Sequence, residues 1–223
     1  DGERRESPTV VVNADYAHAQ RDLLGRRLPA YRYSCSVNLV YWGVKKKISA
    51  LAHHNLFFAR DLHRNLRDIF AVPRLPEDPS FYVHVPTVTD PSLAPPGKDI
   101  LYLLVPVPNL QTRGPLTREE EAVLKRVVCE KINKVINEDV RDLIEVEHRF
   151  YPQDFTARYN IPYGATFGLS HTLMQSAFFR PHNADQRHQG LYYVGASTQP
   201  GGGLPPVLAS SRIVAELISP KVS

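Results

Sequence analysis

Apolar side chains along the chain fall into short alternating runs broken by stretches of helical spacing. Residues 9–12 form a largely β-branched run (Thr9, Val10, Val11, Val12) that meets Asn13, Ala14 and Asp15; residues 16–24 then carry helix formers closed by Gly25. That is the order of a strand, an N-cap and a helix. Over residues 34–42, Cys35, Val37, Leu39 and Tyr41 alternate with Ser36 and Asn38, which predicts a half-buried strand stopped by Gly43 and the lysines after it. Leu56, Phe57 and Phe58 predict a short strand, and Leu62, Leu66, Ile69 and Phe70 predict an amphipathic helix within residues 61–71. Phe81, Val83 and Val85 alternate with Tyr82 and His84 as a further strand, and Pro91, Pro95 and Pro96 hold residues 90–97 as a loop. The continuous apolar run at 100–105, ended by Pro106 and Pro108, predicts a central strand buried on both faces. Thr117 and Glu120 have capping-box spacing at the head of a helix reaching about residue 138, with Val123, Val127, Ile132, Val135 and Ile136 as its apolar stripe. Ile144, Val146, His148 and Phe150 alternate as one more strand. Strands interleaved with helices and no tandem repeat predict a mixed α/β (α+β) fold, a mixed sheet covered by helices.

Composition narrows the class without naming an activity. The 223 residues are 43% hydrophobic and 22% charged, with 12 glycines and 19 prolines, which excludes a disordered, collagenous or polytopic membrane chain. The formal charge of +4 comes from 27 basic and 23 acidic residues that are mostly interspersed. Only Lys45, Lys46 and Lys47 form a basic run, read as a solvated loop, so no nucleic-acid partner is expected. Cys35 and Cys129 lack C-x-x-C spacing, so neither a disulfide framework nor a thiolate metal site is predicted, and a reducing compartment fits. No apolar run is long enough to span a bilayer and no secretory signal is visible, so any membrane contact is expected to be peripheral. The single methionine is Met174, and the chain opens at Asp1, which reads as a piece of a longer product.

The chemistry concentrates at the far end. Residues 190–206 run G-L-Y-Y-V-G-A-S-T-Q-P-G-G-G-L-P-P into an apolar helix carrying Val207, Leu208, Ile213, Val214 and Leu217. A strand, a glycine-rich loop and a helix start bring backbone N–H groups and the positive end of the helix dipole to one place, which suits a phosphate or a flavin that becomes anionic on reduction. The pattern is not a Gly-x-Gly-x-x-Gly fingerprint, because Pro206 holds the third place, and no P-loop lysine follows.

The loop at residues 195–203 resembles the C-terminal FAD-binding motif of the phytoene desaturase family, the bacterial and fungal type of carotenoid desaturase. Three further stretches are similar to that family in the same order: V-V-N-A-D at 11–15, residues 75–88 leading into T-D-P-S-L-A-P-P-G-K at 89–98, and G-L-S-H at 168–171 followed by F-R-P-H-N at 179–183. The resemblance covers essentially the whole chain but only the second half of a member, since the family's first Gly-x-Gly-x-x-Gly turn is absent from these residues. It departs from the family at Gln199, where His is common, at Gly202, where a small non-glycine residue is common, and at Pro206.

What the resemblance implies is an FAD-dependent oxidoreductase that removes hydrogen stepwise from phytoene or a related C40 polyene by hydride transfer to flavin. It implies a return segment of the FAD-binding domain at 1–33, a polyene domain at 34–160 floored by a mixed sheet, and a C-terminal FAD-binding segment at 161–223 with Rossmann-like character. The FAD contacts fall on Gly195, Ala196, Ser197, Thr198, Pro200, Gly201, Gly202, Gly203, Leu204 and Pro205, with Trp42, Phe57, Phe58, Phe178 and Phe179 as apolar groups for the polyene or the core. Peripheral attachment to the cytoplasmic side of an intracellular or plasma membrane, a quinone or oxygen as final electron acceptor, and a possible homo-oligomer complete the expectation. The 223 residues alone are expected to be inactive.

Candidate proton acceptors or tuning groups are His171, Arg180 and His182, which flank the region that the resemblance places near the flavin ring; Arg180 is alternatively the partner of a carboxylate. No metal is expected: His53 and His54 are adjacent, and side chains in an extended segment point to opposite faces. No Gly-x-Ser-x-Gly elbow is present, which disfavours hydrolysis. Two other readings stand beside the desaturase: a truncated non-catalytic relative that binds polyene, membrane or a full-length desaturase, and a carotenoid isomerase or retinol saturase-like oxidoreductase.

Overall fold

The computed structural model describes residues 2–219. In chain order the elements are β1 (Val10–Val12), α1 (Tyr16–His18) running into a π-turn (Ala19–Leu23), β2 (Ser36–Val44), β3 (His54–Phe57), α2 (Leu62–Phe70), β4 (Phe81–His84), β5 (Asp99–Val107), α3 (Arg118–Ile136), β6 (Ile144–Phe150), α4 (Pro152–Tyr159), β7 (Leu191–Tyr193) and α5 (Leu204–Ile218), with short 3₁₀ turns between them. Two compact units divide them: residues 2–34 with 156–219, and residues 35–155.

The second unit is an antiparallel five-stranded sheet in the order β3-β4-β5-β2-β6. One face packs under α3. Trp42, Val44, Phe81, Val83, Leu101, Leu103, Val105 and Val107 from the strands meet Leu124, Val128, Cys129, Ile132 and Ile136 from the helix, all buried. Each fully buried aliphatic side chain there contributes about 1.5–3 kcal/mol relative to exposure. Trp42 is 1% exposed and donates its indole N–H to Glu147 at 2.8 Å. Asp99 is buried but satisfied: its carboxylate accepts from the Ile48 N–H at 2.8 Å and the Thr87 hydroxyl at 2.7 Å, fastening the loop after β2. Both cysteines are buried thiols outside any disulfide, their pKa values pushed up to about 11 by burial. The lysine run is exposed, with Lys46 paired to Glu138 at 2.7 Å.

Two expectations shift. The run at 100–105 lies in β5, the middle strand of the sheet, but its residues alternate between buried and half-buried, so only one face is sealed. The buried stripe of α3 keeps Ile132 and Ile136 as expected but departs at its other positions: Val123 and Val135 are exposed and Val127 half-buried, while Leu124, Val128 and Cys129 face the sheet. The capping box at Thr117 and Glu120 forms as predicted.

In the first unit, β1 and β7 pair in parallel, Val10 opposite Leu191 and Val12 opposite Tyr193. The Val194 N–H continues the ladder to the Val12 carbonyl at 3.1 Å. Asp15 caps α1, accepting from the Ala17 N–H at 2.9 Å and the His18 N–H at 3.2 Å. Gly190 turns the chain into β7 at φ +82°, where a Cβ would strike the Pro8 carbonyl oxygen, so only glycine fits.

Candidate functional site

Within the first unit, β7 delivers the chain into the glycine-rich loop and α5 receives it. Gly195 (φ +132°) donates its N–H to the Ser210 hydroxyl of α5 at 3.1 Å, closing loop onto helix. The Gly195 carbonyl accepts from the Thr198 hydroxyl at 3.1 Å, and the Ser197 hydroxyl bridges the Leu169 N–H and the Asp15 carboxylate, each at 3.2 Å. Asn183 holds the other side: its side-chain amide donates to the Tyr193 and Gln199 carbonyls at 3.1 and 3.0 Å.

Arg180 is the fastener of this loop rather than half of an ion pair. It is 1% exposed and donates to four backbone carbonyls: Thr198 at 3.0 Å, Gln175 at 2.9 Å, Leu169 at 3.1 Å and Ala196 at 2.5 Å. No carboxylate is among these partners, so the expected pairing with an acid is replaced by a fork spread over carbonyl dipoles, which its five fixed donors suit. Burial pushes its pKa down from the usual arginine value.

His171 accepts the Gly202 N–H at Nε2, 3.2 Å away, which assigns the proton to Nδ1. Burial and the nearby Arg180 charge both lower its pKa, favouring the neutral ring this bond requires. A Cβ on Gly201 (φ +141°) would lie 2.5 Å from His171 Nε2, so the glycine also makes room for the ring. His182 takes no part in this network among the described residues. Its ring sits 5.7 Å from that of Phe178, and with Arg180, Phe178, Phe179, Arg26 and Tyr31 it lines a cavity of about 460 Å³.

The start of α5 is the part of the loop left open. The Val207 N–H returns to the Gly203 carbonyl at 2.9 Å, and Pro205 and Pro206 have no N–H to offer. Among the described residues the Gly203 and Leu204 N–H groups have no partner, both residues are exposed, and the first turn of α5 carries no acidic side chain. Two adjacent donors at the positive end of a helix dipole fit a group that carries or acquires negative charge, as the pyrimidine edge of a reduced flavin does. The loop residues, His171 and Arg180 thus come together; His182 lies to one side.

Sequence reasoning missed Asp185. Burial raises its pKa, but bonds from Arg26 (2.5 and 3.1 Å), the Tyr193 hydroxyl (2.6 Å) and the N–H groups of Arg187 and His188 (2.8 Å each) outweigh that and hold it well below the carboxylate range. The only signal in the chain was an Asx-turn spacing, since Arg26 lies 159 residues away.

In the second unit the sheet face away from α3 carries its own pattern. Register places His148, Tyr41, Tyr102, His84 and His54 on one rung across all five strands, with Phe150, Leu39, Leu104, Tyr82 and Leu56 on the next. Tyr41 and Tyr102 stand 5.2 Å apart by ring centroid, and none of the ten is fully buried. This is a broad aromatic and aliphatic floor.

The sequence profile of the flavin-containing amine oxidoreductase family matches residues 1–219. The chain is 42% identical over 96% of its length to a zeta-carotene-forming phytoene desaturase from Myxococcus xanthus, and 36% identical over 97% of its length to a 4,4'-diapophytoene desaturase (4,4'-diaponeurosporene-forming) from Staphylococcus haemolyticus. It covers 43% and 46% of those proteins, and so spans a little less than half their length. Among solved structures, an oxidoreductase from Methanosarcina mazei matches 97% of this chain and 44% of its own with a TM-score of 0.51 at 14% identity, a likeness of fold.

Proposed function

The chain belongs to the flavin-containing amine oxidoreductase family, and on that premise we propose that it supplies the polyene-binding sheet and the C-terminal flavin contact of an FAD-dependent desaturase acting on phoytene-type acyclic polyenes such as phytoene or 4,4'-diapophytoene. The observation that carries this reading is the pair of N–H groups of Gly203 and Leu204 at the start of α5, unpartnered among the described residues. Bound flavin would supply the hydride acceptor that no side chain can supply. The residues around it hold and polarise: Gly203 and Leu204 face developing negative charge, while Arg180, Asn183 and Ser197 fix the loop that presents them.

Removing a hydride and a proton from neighbouring carbons leaves the proton to be placed. Arg180 is committed to four carbonyls and His171 to the Gly202 N–H, so His182, at the cavity wall, is the side chain that takes it in this reading. The floor of Tyr and aliphatic residues in the second unit suits a long apolar substrate that offers nothing to hydrogen-bond. Oxygen or a membrane quinone serves as final electron acceptor.

Among the described residues no helix is long and apolar enough to cross a membrane. Leu173, Met174, Phe178 and Phe179, four large apolar side chains within seven residues, are 83%, 66%, 74% and 57% exposed and support peripheral attachment to a membrane.

The test uses the whole protein that carries this chain. Expected are one FAD per chain, anaerobic bleaching of the flavin spectrum on adding phytoene, and a product absorbing at longer wavelength. Gly203→Val keeps the backbone N–H but cannot hold φ +109°, so it should turn that donor away from the flavin edge and weaken flavin binding about tenfold or more. A protein that neither copurifies nor reconstitutes with flavin, or a Gly203→Val variant with unchanged affinity and reduction, would overturn the reading.

A further inference from the structure

At the outer edge of the second unit's sheet, three histidines meet. His54 opens β3 and pairs in register with His84, the last residue of β4. His53 lies in the bend before β3, not in the extended strand, and its carbonyl accepts the Val85 N–H at 2.9 Å. Alternation therefore does not separate the two neighbours: the His53 and His54 rings are 4.3 Å apart by centroid, and His84 lies 4.5 Å from His53 and 5.2 Å from His54. One nitrogen from each ring lies within 4.8 Å of the others.

We propose that His53, His54 and His84 form a binding site for a divalent late transition metal, zinc in class. The nitrogens are arranged for it. Nε2 of His53 and Nε2 of His84 face each other at 2.9 Å, while Nδ1 of His53 meets the Thr89 hydroxyl at 2.6 Å and Nδ1 of His54 meets the Tyr82 hydroxyl at 2.5 Å. His53 thus has an outer hydrogen-bond partner at Nδ1 and presents Nε2 to His84, the arrangement that orients metal-bound imidazoles, and His54 is held at Nδ1 by Tyr82. Zinc–nitrogen bonds of about 2.0–2.1 Å in a tetrahedron separate ligand nitrogens by about 3.3 Å, close to the 2.9 Å of the facing pair, and the third ring offers a nitrogen within 4.8 Å of both. With three imidazoles and no carboxylate the set suits zinc, copper, nickel or cobalt rather than calcium or magnesium. His54 is exposed and the other two half-exposed, so a water fills the fourth position and exchange with solvent is open. Bound metal would clip the bend at His53 to the β3–β4 hairpin.

The site is tested on the tag-free, chelator-treated whole protein titrated with Co²⁺. One equivalent should give visible d–d bands, displaced by Zn²⁺, and bound Zn²⁺ should raise the melting temperature. His54→Gln and His84→Gln should each weaken Co²⁺ binding by more than about 100-fold, and Thr89→Val, which touches only the outer partner of His53, by about tenfold. Circular dichroism of the metal-free variants shows whether the fold survives; the exposed Thr89 keeps the test usable if His84→Gln does not fold. Absence of stoichiometric binding would sink the proposal, as would binding unchanged by His54→Gln and Thr89→Val, which would place the metal elsewhere in the protein.

Discussion

Arg180 spends its donors on carbonyls from three segments of the chain, and that determines what its loss does. A lysine keeps the charge but cannot reproduce the fork, so Arg180→Lys leaves buried carbonyls unmet at about 1–3 kcal/mol each. The expected result is a drop of about 3 kcal/mol in unfolding free energy and a matching loss of flavin from the whole protein. Flavin retained at full occupancy would show that the loop holds without it. His171 makes a prediction about pH. Its folded pKa lies below the unfolded value near 6.5, so the unfolded chain binds the proton first: its contribution to stability is complete above about pH 6.5 and is lost as pH falls through the folded pKa. Denaturation midpoints of the wild type should therefore fall on acidification below that point, and His171→Gln, which can still accept from Gly202, should lack that component. Both residues were visible as neighbours of the glycine loop in a motif. The carbonyl fork and the Asp185–Arg26 pair were not, because their partners come from loops distant in sequence that carry no periodicity.

Elements were legible wherever a period or a cap was strong. The Thr117–Glu120 box reads directly, with the Thr117 hydroxyl accepting the Glu120 N–H at 3.2 Å and Glu120 returning to the Thr117 N–H at 2.9 Å. Thr117→Ala should cost about 1 kcal/mol, measured by urea denaturation, and no loss would mean that the ion pair between Arg113 and Glu120 already holds the helix end. In α3 the expected stripe holds at Ile132 and Ile136 but not at Val123 and Val135, because apolar residues also flank the buried positions: Val123 beside Leu124 and Val135 beside Ile136. β5 looked buried on both faces because Ile100, Tyr102 and Leu104 are apolar, yet they lie on the face that α3 leaves uncovered. An apolar residue reports hydrophobicity, not what lies over it. The two single turns at Leu173–Gln175 and Ala177–Phe179 pose the same question at the surface. Replacing Leu173 and Phe178 together by Ser should abolish flotation of the whole protein with anionic liposomes while leaving its flavin content unchanged; flotation at wild-type level would move the membrane contact elsewhere.

At the scale of the molecule, the chain builds one unit from its two outer segments and the other from its middle, a division that local pattern cannot show because β1 finds its partner β7 about 180 residues later. The glycine loop could be picked out from the chain, as could the class of the fold. What could not be seen was that its network ties together residues near 15, 170, 180 and 197. Trp42 gives this division an optical consequence. It is the only tryptophan in these 223 residues, it is sealed under α3 in the middle unit, and the outer unit has none. In a sample of these 223 residues, emission excited selectively from indole therefore reads the melting of the middle unit alone, whereas far-ultraviolet dichroism reads both. If the units unfold independently the two probes should give separate midpoints in the same sample, and coincident midpoints would show that they melt as a single cooperative body.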